Sequence, residues 1–205
     1  MIKNIVFDMG GVLIHYQPLE IISHLRLPPE DEKMIYREVF RTVEWVQMDR
    51  GVASEEEAVL AMERRLPERL HGALARAIRW WELELRPMEG MAELLAELKG
   101  MGYGIYLLSN ASVRQPEYFD RIPGSQYFDG KIVSAFYKLL KPQHEIFELL
   151  LREFSLRAGE CFFVDDNHEN VESAVFNGFS GAVFDGDVPR LRRQLNEAGV
   201  LVRTN

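Results

Sequence analysis

The sequence predicts an α/β fold in which a doubly wound parallel sheet carries an inserted α-helical cap. Short β-rich segments recur along the chain, at 2–7, 105–109, 161–164 and 181–184. Amphipathic stretches such as 88–99 and 143–154 lie between them, and this alternation is typical of parallel sheets with helical crossovers. The segments are almost continuously apolar, which indicates strands buried on both faces. Ligands of such Rossmann-like folds bind at the carboxyl ends of the strands.

The alternation of strand and helix stops between residues 16 and 86, where helical patterns follow one another. Ser54 with Glu57 three residues later fits a capping box, which marks the start of one of these helices. We therefore expect a core domain of residues 1–15 and 87–205 and a helical cap domain of residues 16–86. Because the cap is inserted just after the first strand, we expect it to stand over the strand ends.

The composition is that of an ordinary globular protein. Hydrophobic residues make up 47% and charged residues 27% of the 205 residues, which fits a packed core rather than disorder. The net charge of -8 argues against a general surface for nucleic acid or acidic membranes. Cys161 is the single cysteine, so an internal disulfide framework is excluded. With no charged-then-apolar leader and no apolar stretch of about 18–20 residues, a cytoplasmic location is expected.

Four groups of polar residues end or follow apolar segments. They are Asp8, Ser109-Asn110, Lys141-Pro142 and Asp165-Asp166-Asn167. The carboxyl ends of parallel strands meet at one edge of a sheet, so we expect these groups to form one active site. Ser109 and Asn110 would offer a hydroxyl and an amide as donors to an anionic oxygen. Taken alone, each group also fits a turn, a helix cap or a surface lysine, and it is their combination that favours catalysis.

Asp8 ends an apolar strand and is followed by a turn that contains two glycines. A carboxylate on a rigid strand end is well placed to attack phosphorus or carbon and to form a covalent intermediate. Gly10 and Gly11 let main-chain amides approach a ligand without a side-chain clash. Lys141 would neutralise both the attacking carboxylate and an incoming anion, which otherwise repel each other.

Asp165 and Asp166 are adjacent acids after a buried strand, and such a pair is costly to desolvate without a cation. A hard divalent ion would stabilise both. With Asp8 opposite, the ligand set contains oxygen only, which favours magnesium over zinc. Asn170, four residues beyond Asp166, is expected to orient the metal or its waters without binding the metal itself.

At these residues the chain resembles the haloacid dehalogenase superfamily of phosphatases and dehalogenases, over essentially its whole length. The segment 7–13 is similar to the first motif of that superfamily, 108–110 to the second, 141–142 to the third and 164–167 to the fourth, in that order. The position of the insert resembles that of the superfamily's helical cap of the first type.

This resemblance implies a role for each site residue. Asp8 would be the nucleophile of a two-step phosphoryl transfer, and Mg²⁺ would be held by Asp8, the Gly10 carbonyl and Asp166. Asp165 would not bind the metal but would pair with Lys141. The phosphate oxygens of a small phosphorylated metabolite would be held by Ser109, Asn110, Lys141 and the Gly11 main-chain amide.

The chain departs from the superfamily pattern at Gly10. Most phosphatases of the superfamily carry there a second aspartate, which protonates the leaving oxygen and then activates water. General acid–base help is worth roughly 10²- to 10⁴-fold in rate, and poor leaving groups need it most. We therefore expect substrates with acidic leaving hydroxyls, such as hexose 1-phosphates. The chain is most similar to the branch of bacterial α-glucose-1-phosphate phosphatases, which share this departure.

Two other functions stay open at this point. Metal-free 2-haloacid dehalogenases also lack the second aspartate, because a halide leaves without a proton. Asp165 and Asp166 argue against that reaction, since without a metal they would repel an anionic carboxylate substrate. A catalytically weak protein that binds a phosphorylated ligand is the other alternative, and the intact Asp8 argues against it.

Several residues near the turn and in the cap are candidates for further roles. His15 is a candidate substitute for the missing base, and Lys138, where relatives often have glycine, a candidate extra phosphate contact. The cap is expected to set specificity through residues near His15, Tyr16, Gln17, Trp45 and Met48. The larger side chains of the cap are expected mainly in its helical core; they are Trp45, Met48, Trp80 and Trp81.

Overall fold

The computed structural model describes residues 1–79, 82 and 85–203. Its strands are β1 (Asn4–Phe7), β2 (Ile14–His15), β3 (Arg86–Pro87), β4 (Gly104–Ser109), β5 (Gly130–Val133), β6 (Cys161–Asp165) and β7 (Ser180–Val183). Five of them form a parallel sheet in the order β5-β4-β1-β6-β7, while β2 and β3 form a small antiparallel pair. The predicted α/β class with a parallel sheet is therefore confirmed.

Helices separate the strands along the chain. Between β2 and β3 lie α1 (Pro18–Ser23), α2 (Pro29–Phe40), α3 (Val43–Asp49), α4 (Glu55–Glu63) and α5 (His71–Arg79). The remaining helices are α6 (Met91–Gly100), α7 (Gln115–Phe119), α8 (Ser134–Tyr137), α9 (His144–Glu153), α10 (His168–Phe176) and α11 (Val188–Glu197). Within the described ranges, no helix combines the length and apolarity that a membrane crossing requires. The cytoplasmic location stays a prediction.

Successive side chains of a strand point to opposite faces of the sheet. Apolar side chains therefore lie on both faces of this sheet, and helices cover each face. Phe7 and its neighbours on one face pack against α6 and α11, where Leu94 and Leu191 are fully buried. Val6 faces the other way and joins the cluster formed with α9 and α10, which includes Phe147. Burying a side chain of this size contributes about 1.5–3 kcal/mol each. These two layers fix the central strand β1 and therefore the residue that follows it.

The helices between β2 and β3 have a hydrophobic core of their own. Their buried side chains, such as Ile35 and Met62, form a cluster separate from the two that cover the sheet. Ser54 and Glu57 form the predicted capping box at the start of α4. His15 pairs with Arg86, so the two points at which the chain passes between the sheet and the helical segment lie side by side, at the predicted domain boundaries. Trp80 and Trp81 lie outside the described residues.

An ion-pair network joins this helical segment to the sheet domain. The guanidinium of Arg114, which follows β4, bonds to Glu82 and lies 3.2 Å from Glu55 Oε1 at the start of α4. It also donates to the Arg79 carbonyl oxygen at 2.8 Å. Glu82 is buried, with 4% of its surface exposed, so its charge depends on this partner.

Candidate active site

Three neighbouring strands end side by side and carry the predicted site residues. β1 lies between β4 and β6, and these strands are followed directly by Asp8, Asn110 and Asp166. All three residues line one cavity of about 250 Å³. The carboxyl edge of the sheet thus brings together residues that are about 100 and 160 positions from the first strand.

Lys141 lies between two carboxylates in the interior of the site. Its Nζ is 2.7 Å from Asp8 Oδ1 and 2.6 Å from Asp165 Oδ2, and its side chain is 1% exposed. Burial disfavours the charged form, but Asp8 and Asp165 outweigh burial and raise the pKa of Lys141. The ammonium is therefore held in its charged form beside Asp8.

Asp165 is fully buried, and its hydrogen bonds connect several residues of the site. Besides Lys141, it accepts hydrogen bonds from the main-chain amide of Asn167 at 2.8 Å and from Asn170 Nδ2 at 3.0 and 3.1 Å. The Asn170 amide, expected to orient a metal or its waters, is thus bonded to a carboxylate of the site. These bonds satisfy the Asp165 oxygens, as a buried charge requires.

The acidic cluster carries more negative charge than its lysine balances. Oxygen atoms of Asp8, Asp165 and Asp166 lie within 4.8 Å of one another, which sets three carboxylates against the ammonium of Lys141. Burial raises the pKa of Asp8; Lys141 opposes this rise, and Asp165 adds to it. Burial and Asp165 also raise the pKa of Asp166. A divalent cation would restore the balance, and this all-oxygen donor set fits the implied Mg²⁺.

Gly11 is required by the tight turn after β1. Its φ is +73°, and a Cβ at this position would lie 2.2 Å from Asp166 Oδ2, so a larger residue would meet both backbone strain and a clash. Its main-chain amide, expected to hold a phosphate oxygen, instead donates to the Ile14 carbonyl oxygen at 2.8 Å. The turn closes on itself through that bond, so this amide is already engaged within the protein.

Asn110 holds the main chain of Lys141. Its Nδ2 donates to the Lys141 carbonyl oxygen at 3.0 Å, and its Oδ1 accepts from the Lys141 amide at 2.8 Å. The side chain predicted as a phosphate donor therefore positions the lysine. Ser109 is buried at the end of β4. Lys138 is exposed and does not line the cavity; its φ of +58° is in the left-handed region that favours the glycine of relatives.

Gly10 has no side chain at the place expected for a second aspartate. A Cβ there would contact Tyr16 Cβ at 3.4 Å, so Tyr16 fills the space next to this position. His15, considered as a substitute base, lies in β2 and is not among the residues that line the cavity. The turn after β1 therefore supplies no group that could exchange a proton with a leaving oxygen.

Large apolar and aromatic side chains also line the cavity. They are Tyr16, Trp45, Met48 and Ile78 from the predicted cap and Tyr118 from α7. Trp45 and Met48, expected mainly in the helical core of the cap, thus have two roles. Met48 belongs to the buried cluster formed by the helices between β2 and β3, and the Trp45 ring lies 4.7 Å from the ring of Phe40.

Two acidic residues of the predicted cap line the same cavity and were not predicted from the sequence. They are Asp49 and Glu55. Glu55 pairs with Arg114. Asp49 is the last residue of α3, where the helix dipole disfavours negative charge, so its position was a usable signal. Burial raises the pKa of Asp49 to about 7; the Asp8 charge adds to this rise and a hydrogen bond from Trp45 opposes it.

Comparison with known families agrees with this geometry. The family model described as haloacid dehalogenase-like hydrolase matches residues 2–176. This chain belongs to that family. The predicted enzyme class, a haloacid dehalogenase-like hydrolase, is confirmed by the match.

Among curated proteins, the chain is similar to two phosphatases. It is 32% identical to the sesquiterpene phosphatase astK of Aspergillus oryzae over 185 residues, which cover 87% of this chain and 88% of the relative. It is 25% identical to a D-ribitol-5-phosphate phosphatase of Bacteroides thetaiotaomicron over 192 residues, which cover 87% and 90%.

Among solved structures, this haloacid dehalogenase-like hydrolase is similar to a family enzyme of Bacteroides thetaiotaomicron that was crystallised with magnesium and inorganic phosphate. The TM-score is 0.71 at 22% identity, and the match covers 93% of this chain and 99% of that enzyme. At this identity the likeness shows the shared fold.

Proposed function

We propose that this hydrolase is a Mg²⁺-dependent phosphatase that hydrolyses small phosphomonoesters through an aspartyl-phosphate on Asp8. The observation that carries the proposal is the arrangement at the strand ends: Asp8 faces the cavity, Lys141 Nζ lies 2.7 Å from it, and three carboxylates cluster within 4.8 Å. Phosphatase activity in two relatives and the magnesium and phosphate bound by a structural neighbour support it.

The residues that would hold Mg²⁺ are Asp8, the Gly10 carbonyl and Asp166. Bound there, the ion would offset negative charge on the phosphate oxygens as the anionic ester approaches the carboxylates. Lys141 provides a fixed positive charge for the same purpose. Among the described residues, the main-chain amides of Gly10 and Asn110 donate to no other protein group, so they replace the Gly11 amide as candidate phosphate donors, together with Ser109.

The proposed reaction has two steps. An Asp8 carboxylate oxygen attacks phosphorus while the ester P–O bond breaks, and the bonding electrons leave with the ester oxygen. A water molecule then attacks the phosphorus of the aspartyl-phosphate from the side that the alcohol has left. Asp8 is regenerated and inorganic phosphate is released.

Two substrate classes follow from different observations. Gly10 favours esters with acidic leaving hydroxyls, such as hexose 1-phosphates, because they depend least on a proton donor. The apolar wall that includes Trp45, Met48 and Ile78 favours phosphates of apolar alcohols, and so does the similarity to a sesquiterpene phosphatase. In both classes the substrate is a small phosphorylated metabolite that fits under the cap.

The two alternative functions are less well supported by the site. A metal-free 2-haloacid dehalogenase binds an anionic carboxylate, and the clustered Asp8, Asp165 and Asp166 oxygens would repel it. A protein that only binds phosphorylated ligands has no need for a carboxylate paired at 2.7 Å with a buried lysine.

The test is a phosphate-release screen of hexose phosphates, terpenyl phosphates, nucleotides and simple alkyl phosphates, with magnesium and with a chelator. We expect magnesium-dependent release that falls below detection in Asp8→Asn, because the amide is a far weaker nucleophile than the carboxylate. No release from any ester, together with chloride release from 2-chloropropionate, would replace the phosphatase by the dehalogenase. Release that persists in Asp8→Asn would remove the aspartyl-phosphate from the mechanism.

A further inference from the structure

The proposed phosphatase reaction needs a proton donor and later a base, and the turn that carries Gly10 provides neither. Both must act on the face of phosphorus opposite Asp8, because the leaving alcohol and the attacking water occupy that side in turn. Asp49 and other residues of the helical segment line the same cavity as Asp8, and the Asp8 charge acts on the Asp49 carboxyl. We propose that Asp49 of the cap is the catalytic acid and base, an inference that rests on the proposed phosphatase function.

The main chain around Asp49 is fixed against the sheet domain. Its carbonyl oxygen accepts a hydrogen bond from Ser134 Oγ at 2.5 Å. Two residues later, Gly51 has φ +70° and lies so close to α8 that a Cβ would be 2.0 Å from the Ala135 carbonyl oxygen. A catalytic side chain on the cap needs such anchoring, because small displacements of an acid or base are costly in rate.

The surroundings of the Asp49 carboxyl suit a group that both donates and accepts a proton. Trp45 donates a hydrogen bond to it, which holds its orientation. Asp8 on the sheet side and the helix end on its own side both oppose its negative charge. A pKa of about 7 leaves comparable amounts of acid and base near neutral pH, where proton transfer in both directions is efficient.

The other titratable groups of the cavity are less suitable. Glu55 is committed to Arg114, and Asp166 belongs to the acidic cluster that would bind Mg²⁺. Burial raises the pKa of both Tyr16 and Tyr118 above the ordinary value, and the charge of Asp49 adds to the rise. Neither phenol can therefore serve as a base at neutral pH.

Asp49 accounts for the proton transfers in both steps. In the first, Asp8 forms its bond to phosphorus, and the departing ester oxygen takes the proton of the Asp49 carboxylic acid to give a neutral alcohol. In the second, the Asp49 carboxylate takes a proton from water as the water oxygen bonds to phosphorus. The bond between Asp8 and phosphorus breaks, and both carboxyl groups return to their initial states.

The experiment compares wild type with Asp49→Asn on two esters that differ in leaving group, p-nitrophenyl phosphate and an alkyl phosphate that the wild type hydrolyses. The value of kcat/KM reports transfer to Asp8. We expect it to fall about 10²- to 10⁴-fold for the alkyl ester, and less than about tenfold for the aryl ester, whose leaving group needs little protonation. Slow hydrolysis of the intermediate should also produce a burst of nitrophenolate. Asp49→Glu should recover part of the loss.

A matched control is Glu55→Gln, which removes another carboxylate from the same cavity. A change of cavity charge or of cap packing should scale the rates of both esters by a similar factor. Equal losses on both esters in Asp49→Asn, or no loss on either, would refute the role of Asp49 while wild-type turnover keeps the phosphatase proposal. Absence of turnover in wild type would refute both proposals.

Discussion

Replacing Lys141 by methionine tests how strongly the buried ammonium supports the acidic cluster. Methionine keeps much of the aliphatic stem and removes a charge whose Nζ lies 2.7 Å from Asp8 and 2.6 Å from Asp165. Removing one partner of a buried ion pair costs about 3–5 kcal/mol. Asp165 retains its bonds from Asn167 and Asn170, so we expect a loss near the lower end, about 3 kcal/mol. At about 2–4 °C per kcal/mol for chains of this size, Tm falls by roughly 6–12 °C.

The stability that is lost in Lys141→Met should depend on pH in a defined direction. Lys141 lowers the pKa of Asp8, which burial raises above its ordinary value of 3.8. Without the lysine the folded-state pKa of Asp8 rises above the wild-type value of about 7, so between these two values the folded variant binds more protons than the folded wild type. Its unfolding free energy therefore falls, relative to wild type, as pH rises through the interval between the two folded-state pKa values. The deficit is smaller below that interval and complete above it.

The assay is urea unfolding in chelator at about pH 5.5 and about pH 9, with Lys138→Met as the control. Lys138 is an exposed lysine three positions earlier, and its replacement should change stability by less than about 0.5 kcal/mol. A deficit below about 1 kcal/mol for Lys141→Met at the higher pH, or one of the same size at both pH values, would refute this account of the site.

Two further predictions concern the turn and the attachment of the cap. Gly11→Ala forces φ +73° on a residue with a Cβ, and that Cβ displaces Asp166. The Mg²⁺ concentration for half-maximal activity should therefore rise at least about tenfold. An unchanged magnesium titration would contradict the proposed ligand role of Asp166. Arg114→Met leaves Glu82 and Glu55 without their partner and should destabilise the protein by about 2–4 kcal/mol and raise KM. Thermal unfolding and steady-state kinetics measure both effects, and wild-type values for both would show that the network does not hold the cap.

Much of the fold follows from local sequence patterns. Apolar strand segments and amphipathic helices predict the parallel sheet because a strand buried on both faces needs helices on each side. β5 was not predicted; its four residues include Gly130 and Lys131 and are a weak strand signal. β2 and β3 have two residues each, too few for alternation to be visible, and they form only because the two crossings of the chain meet.

Part of the candidate site could likewise be predicted from the sequence, and part of it could not. Asp8, Asp165 and Asp166 stand out in the sequence because acids directly after apolar strands have a known direction and a known cost of burial. The bonding partners within the site were not visible there. The Gly11 amide closes the turn on Ile14, and the Asn110 side chain binds the Lys141 main chain; both depend on main-chain geometry that residue types do not specify.

The sequence by itself determined the α/β class, the family and the set of charged residues at the strand ends, because these depend on periodicity and on the order of motifs. Only the tertiary structure decided which residues of the predicted cap share a cavity with Asp8. Asp49 lies 41 positions from Asp8 in sequence, at the end of α3, and its place is fixed by Ser134 and by the close approach of Gly51 to Ala135. Such a position depends on how two separate hydrophobic cores pack against each other, and no local sequence pattern specifies it.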